Sequence, residues 1–231
     1  MKKRLIILTG AGMSAESGIA TFRDSDGLWN NYKVEEVATP EGFAANPELV
    51  LDFYNYRRRE LLKVMPNVGH TGLADLEKDF DVRIITQNID NLHEKAGSSS
   101  VLHLHGELMK VCPVNDFHTT YELSAENPDI HLGDKDPKGV QLRPFVVWFG
   151  EAVPMIEPAI KWVSEANLFV VIGTSLNVYP AAGLLHYVPK GTPIFLIDPK
   201  EVSATRHDMH HIQMGASRGV KILTELLMEL R

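Results

Sequence analysis

Six short apolar runs recur along the chain, most of them separated by stretches of helical character. They are Leu5-Ile6-Ile7-Leu8, Val82-Arg83-Ile84-Ile85, Val101-Leu102-His103-Leu104, Phe145-Val146-Val147-Trp148, Leu168-Phe169-Val170-Val171-Ile172 and Pro193-Ile194-Phe195-Leu196-Ile197. Runs this short and this rich in β-branched residues read as buried strands. Residues 66–79 and 154–166 carry helical patterns, and Val220 to Leu230 puts Leu223, Leu226, Leu227 and Leu230 on one helical face. Strands alternating with helices predict an α/β fold, a Rossmann-like and mainly parallel sheet.

Two stretches break the rhythm. Residues 32–65 are helical in character, with Pro47 to Lys63 as their longest pattern. Residues 109–142 show no clear helix or long strand and are rich in turn residues, as in Gly133-Asp134-Lys135-Asp136-Pro137-Lys138-Gly139. The expected organisation of the 231 residues is one domain. Its core would take about 1–31, 66–108 and 143–231, and both insertions would form a smaller lobe. A formal net charge of −7 argues against direct nucleic-acid binding. Met1-Lys2-Lys3-Arg4 is basic, but the apolar run after it is too short for a signal peptide, and no stretch is long enough to span a membrane. A cytoplasmic monomer without membrane contact is the expectation.

The first run leads into Thr9-Gly10-Ala11-Gly12-Met13-Ser14-Ala15-Glu16-Ser17-Gly18. This has the G-x-G-x-x-A form of a turn that brings backbone close to a pyrophosphate. The alternative is a glycine-rich turn with no ligand. A hydride-transferring enzyme would place a second strand and an acidic ribose ligand about 20 residues on. Here that region is a loop, Ala20-Thr21-Phe22-Arg23-Asp24-Ser25-Asp26-Gly27-Leu28-Trp29, and the next convincing strand begins at Val82. A dinucleotide bound for another purpose fits better, with Arg23 toward phosphate and Phe22 over a ring.

The second run ends in Thr86-Gln87-Asn88-Ile89-Asp90-Asn91, where open α/β sheets bind ligands. The third ends in His103-Leu104-His105-Gly106, and alternation puts both histidines on one face. A histidine beside that polar cluster is a general-base candidate. The alternative is that both histidines are structural.

Taken together, Gly10-Ala11-Gly12-Met13-Ser14-Ala15-Glu16-Ser17-Gly18-Ile19, Thr21-Phe22-Arg23, Gln87-Asn88-Ile89-Asp90, His105-Gly106, Phe149-Gly150-Glu151 and Gly173-Thr174-Ser175 resemble the sirtuin family. They occur in the family's order and span nearly the whole chain outside 109–142. The resemblance implies an NAD-dependent protein lysine deacylase that yields nicotinamide, O-acyl-ADP-ribose and free lysine. It implies His105 as general base and Asn88 beside the ribose. It implies NAD contacts from Gly10, Ala11, Gly12, Ser14, Ala15, Glu16, Thr21, Phe22, Arg23 and Trp29. Further cofactor contacts are implied at Gln87, Asn88, Ile89, Asp90, Gly173, Thr174, Ser175, Asp198 and Ala216. The acylated lysine-bearing protein or peptide would lie as an added strand against Val147, Phe149, Gly150, Glu151, Asn177 and Val178.

Tyr54 and Arg57 stand i, i+3 in Phe53-Tyr54-Asn55-Tyr56-Arg57-Arg58-Arg59 and match the Tyr-x-x-Arg signature of sirtuins that remove succinyl and malonyl groups. An arginine can pair a carboxylate bidentately and a tyrosine can add a hydrogen bond. The competing reading is a solvated basic helix face. Many sirtuins hold a structural zinc with four cysteines after the catalytic histidine; this chain has only Cys112, so no structural zinc or other metal site is expected. A protein mono-ADP-ribosyltransferase and a non-catalytic NAD or ADP-ribose sensor are the alternative functions.

Overall fold

The computed structural model describes residues 2–19, 32–202 and 208–231. Six strands form one sheet in which every neighbouring pair is parallel: β1 (Arg4–Thr9), β2 (Asp81–Thr86), β3 (Val101–His103), β7 (Leu168–Ile172), β8 (Ile194–Ile197) and β9 (Met209–Ile212). Their order is β3-β2-β1-β7-β8-β9. This is the doubly wound dinucleotide-binding order, with the first strand flanked by the second and the fourth. The second strand that seemed missing is therefore present, displaced in sequence by the helical insertion between β1 and β2.

Strand alternation sends successive side chains to opposite faces. Leu5 and Ile7 of β1 join Val170 and Ile172 of β7 in one core, covered by α5 (Val68–Asp75) and α8 (Ala216–Glu229). Ile6 and Leu8 join Phe169 and Val171 in the other, covered by α7 (Ile156–Ser164) and the 3₁₀ segment Ala181–Tyr187. Leu223 and Leu227 of α8 are fully buried, and Leu226 and Leu230 pack against the same core. No helix of the described residues is long and apolar enough to cross a membrane.

The second, smaller unit differs from its expected boundaries. A three-stranded antiparallel sheet has the order β5-β4-β6, with β4 (Gly106–Pro113), β5 (Tyr121–Glu122) and β6 (Leu142–Val146). The strand expected over Phe145–Trp148 within the core lies earlier and pairs with β4 instead. The tract expected to hold no long strand opens on the last five residues of eight-residue β4. A register shift between Gly106 and Val111 breaks the alternation there, which hides the strand from a period-two reading.

Against this sheet pack α2 (Val34–Val37), α3 (Pro40–Ala45) and α4 (Pro47–Leu61). Thr39 and Asn46 start α3 and α4 by accepting the backbone N–H groups of Gly42 and Leu49, each followed by proline at the first helical position. The remaining helices are α1 (Gly12–Ala15) and α6 (Leu92–Lys95), both at C-terminal ends of parallel strands.

Candidate active site

The carboxyl ends of β1 and β7 mark the point where strand order reverses, and there two glycine turns interlock. Gly10 N–H donates to Ile172 O and Gly12 N–H to Gly173 O, both at 2.9 Å. Gly173 has φ +63°, and a Cβ on it would sit 2.4 Å from the Met13 nitrogen. A Cβ on Gly12 would lie 2.7 Å from Gly173 Cα. Only glycine lets the two turns approach this closely, so both backbones line one crevice.

Asn88 is locked from three sides. Its N–H donates to Thr86 Oγ1 (3.0 Å), and its amide nitrogen donates to Gly10 O (3.1 Å) and Ser14 Oγ (3.2 Å). Ser14 in turn donates to Asp90 Oδ2 (2.9 Å), while Asp90 Oδ1 accepts the N–H of Leu92. Ser14, Asn88 and Asp90 are all buried. Burial raises the Asp90 pKa, against the lowering effect of the Leu92 and Ser14 hydrogen bonds. Gln87 reaches across the crevice and donates to Thr174 Oγ1 (3.1 Å). The expected residues 87, 88, 90, 10, 12, 14, 173 and 174 thus converge at the mouth of β1, β2 and β7, with Ala11, Ala15, Ile89 and Ser175 beside them.

His105 Nδ1 lies 2.9 Å from Gln87 O. A carbonyl only accepts, so Nδ1 carries the proton and Nε2 presents its lone pair. Burial lowers the His105 pKa and the Gln87 hydrogen bond partly opposes it, which keeps the ring neutral at pH 7. His103 Nδ1 lies 3.0 Å from the next carbonyl, Asn88 O. β3 ends at His103, and the two rings meet consecutive carbonyls of the Gln87–Asn88 backbone.

Behind Asn88 runs a network that the sequence reading did not find. Thr9 Oγ1 donates to Thr86 Oγ1 (2.8 Å) and lies 3.1 Å from His93 Nε2, whose ring is 4.9 Å from that of His70. Burial drives the His70 pKa down to about 4 and the His93 pKa well below the ordinary value. Threonine at the ends of both β1 and β2 was the available signal.

Several expected contacts hold the frame. Glu16 Oε1 accepts the Ser217 N–H (3.0 Å) at the start of α8, where a carboxylate also meets the positive helix end. That contact brings Ala216 to the nucleotide turn. Asp198 is buried beyond β8, its Oδ1 accepting the Lys200 N–H. The Glu151 carboxylate takes two hydrogen bonds from Arg143 (2.6 and 2.9 Å) and one from Trp148 N–H (2.7 Å). Both its oxygens are thereby engaged in shaping the loop that carries Val147, Phe149 and Gly150. Phe149, Gly150, Asn177 and Val178 are exposed. Thr21, Phe22, Arg23 and Trp29 lie outside the described residues.

The three consecutive arginines of α4 have three fates. Arg59 is exposed, Arg58 is fully buried, and Arg57 is half-buried with its charge acting on Tyr54 and Asp90. Tyr54 is 1% exposed, and its hydroxyl accepts a hydrogen bond from Trp148 Nε1 (3.0 Å). That leaves the phenol proton as a donor. A uniformly solvated basic face is therefore not what α4 presents. Cys112 is buried, and burial pushes its thiol up to about 11. Among the described residues no group of three potential ligands could hold a metal ion.

The profile of the Sir2 family matches residues 10–180. An NAD-dependent protein deacylase of Bacteroides thetaiotaomicron is 60% identical over 97% of this chain and 98% of its own length. One from Helicobacter pylori is 50% identical over 99% and 97%. A solved Sir2 homologue in complex with NAD superposes with a TM-score of 0.87 at 39% identity, over 99% of this chain and 91% of the other. With the nucleotide turns, the Gln87–Asp90 loop and His105 in one crevice, these matches establish that the chain belongs to the Sir2 family.

Proposed function

We propose that this chain is an NAD-dependent protein lysine deacylase that favours acyl groups ending in a carboxylate. The observation that carries the reaction is the His105 tautomer fixed by Gln87 O, next to Asn88 held by Gly10, Ser14 and Thr86. The crevice suits NAD because the glycine turns at Gly10, Gly12 and Gly173 leave backbone open to a pyrophosphate where the strand order reverses. Bound there, NAD supplies a glycosidic bond to nicotinamide that breaks, and its ribose receives the acyl group.

The protein contributes position and one base. Asn88 and Asp90 orient the ribose and carboxamide end, and Gln87 and Thr174 tie that end to the β7 turn. His105 Nε2 accepts a proton from a ribose hydroxyl, and its lowered pKa keeps that lone pair free at neutral pH. Asp198 and Ala216 border the adenosine half. The acylated peptide adds as a strand between the Val147–Gly150 segment, exposed at Phe149 and Gly150, and the exposed Asn177–Val178 segment.

Tyr54 and Arg57 support the acyl preference. The Tyr54 hydroxyl already accepts from Trp148, so its proton is free to donate, and the Arg57 guanidinium lies near enough to act on its ionisation. Together they offer a carboxylate a charge-assisted clamp, and a neutral acetyl group brings no charge to engage it.

One assay tests both parts: release of nicotinamide from NAD with a peptide bearing acetyl-, succinyl- or malonyl-lysine, using wild type, Arg57→Met and His105→Ala. The expected result is NAD-dependent removal of the acidic groups by wild type. Arg57→Met loses that activity by roughly 10–200-fold while keeping acetyl removal. His105→Ala loses all acyl removal by roughly 10²–10⁴-fold. Acetyl preference unchanged by Arg57→Met would sink the clamp. ADP-ribose attached to protein, with lysines still acylated, would identify a transferase instead.

A further inference from the structure

His105 is not the only histidine oriented by the catalytic loop. His103, two residues earlier, is held between two acceptors. Its Nδ1 is 3.0 Å from Asn88 O and its Nε2 is 2.8 Å from Glu94 Oε1. A carbonyl and a carboxylate both require a donor, and a neutral imidazole has only one N–H. Only the doubly protonated ring satisfies both at once. The His103 side chain is 7% exposed, so water is a poor substitute for either partner.

We propose that Glu94 and His103 form a positioning pair, an imidazolium bridging the Glu94 carboxylate and the Asn88 carbonyl that holds the Gln87–Asp90 loop in its reactive shape. The inference rests on the deacylase reading, and it assigns residues that neither bind substrate nor take a proton from it. Asn88 is then fixed on every polar atom of its backbone: N–H by Thr86, carbonyl by His103. Its side chain is thereby aimed at Gly10 and Ser14, and the adjacent Gln87 carbonyl at His105.

The charged surroundings agree. Burial alone would lower the His103 pKa, but the Glu94 hydrogen bond and charge, Glu107 and the Asn88 carbonyl raise it. The other titratable groups that act on this pair are Asp90, Lys110, His93 and His70; Lys110 also pairs with Glu107, and His93 and His70 are held neutral by burial. Two histidines on one segment thus carry opposite charge states. His105 must be neutral to act, which sets the acid limit of activity. His103 must be charged to hold Asn88, and this support is present at low pH and lost as pH rises through its raised pKa. Above that point one acceptor faces a ring lone pair and the carbonyl is released.

The test is kcat and KM for NAD from pH 6 to 10 in wild type, His103→Gln, His103→Ala and Glu94→Gln. Wild type should lose kcat/KM on an alkaline limb. Glu94→Gln removes the stabilising charge and should move that limb about one pH unit lower or more. His103→Gln, whose amide donates at every pH, should abolish the limb and stay within a few-fold of wild type near neutrality. His103→Ala should lose roughly 10–100-fold at all pH values, chiefly in kcat, as the loop drifts. Profiles that superimpose above pH 7 for wild type, Glu94→Gln and His103→Gln would overturn the proposal, even if the variants melt earlier. If wild type releases no nicotinamide with any acylated peptide, the deacylase reading fails. The pair is then judged by calorimetric NAD affinity over the same pH range. Affinity that falls on alkalinisation in wild type but not in His103→Gln sustains it, and flat affinity in wild type overturns it.

Discussion

In the six-stranded sheet the side chains of Ile6, Ile7, Leu8, Phe169, Val170 and Val171 are wholly hidden, and all are hydrocarbon. Beneath the three-stranded sheet the hidden side chains include Arg58 and Asn55. Arg58 donates to Leu108 O (2.8 Å) and Asn55 Oδ1 (2.6 Å), and Asn55 brackets Ile130 through its N–H (3.0 Å) and carbonyl (2.8 Å). The apolar core beside that bracket is small: Leu51, Val111 and Ile130. One region is held by apolar burial, which tolerates no vacancy. The other adds to an apolar cluster around Val50, Phe53, Tyr54 and Trp148 a set of buried hydrogen bonds that tie a polar, turn-rich tract to α4. Burial without direction makes a rigid frame for the nucleotide turns; directed bonds fasten the polar tract of the smaller lobe to the helix that carries Tyr54 and Arg57.

Three perturbations should separate the regions. The largest is Ile7→Ala, which removes packing on one face of β1 and should cost roughly 2–5 kcal/mol. Thermal unfolding should shift as a single transition, with hydrogen exchange rising across both units. The second is acid. A folded pKa of about 4 for His70, below its unfolded value near 6.5, means stability is intact above 6.5 and falls as pH drops toward 4. His70 alone accounts for about 3 kcal/mol by pH 4, and His93 adds in the same direction. Both lie on the nucleotide side of the large sheet, so exchange at pH 5 should rise first in α5, α6 and β1. The third is Arg58→Met, which keeps volume but leaves Leu108 O without its donor, at roughly 1–3 kcal/mol. Exchange should quicken near Leu108 and Ile130 while the parallel sheet is unmoved. Equal loosening of the sheet would show that the two regions are not energetically distinct.

The legibility of the chain follows the same division. Aliphatic runs announce themselves, so the central strands β1, β2, β7 and β8, the edge strand β3 with its Val101-Leu102 start, and helices α5, α7 and α8 were readable. Met209–Ile212 was not, because β9 is an edge strand that pairs only with β8 and carries His210 and His211 to solvent. β4 escaped because its register shift disrupts alternation, and β6 was placed in the wrong sheet because local pattern does not choose a partner. At the site, the glycine turn, Asn88 and His105 were legible by type and position. Arg57, Arg58 and Arg59 are identical letters with three different surroundings.

The sequence by itself determined the α/β pattern, the glycine turn after β1 and the residue types at the strand ends, since each depends on near neighbours in the chain. Only the tertiary structure decided the charge and tautomer of the polar groups. Which nitrogen of His105 carries the proton is set by Gln87, 18 residues away, and Tyr54 takes its hydrogen bond from Trp148, 94 residues away. Hydrophobic pattern is a local property of a strand or helix. A hydrogen bond between distant residues exists only once the sheet order has brought its two ends together.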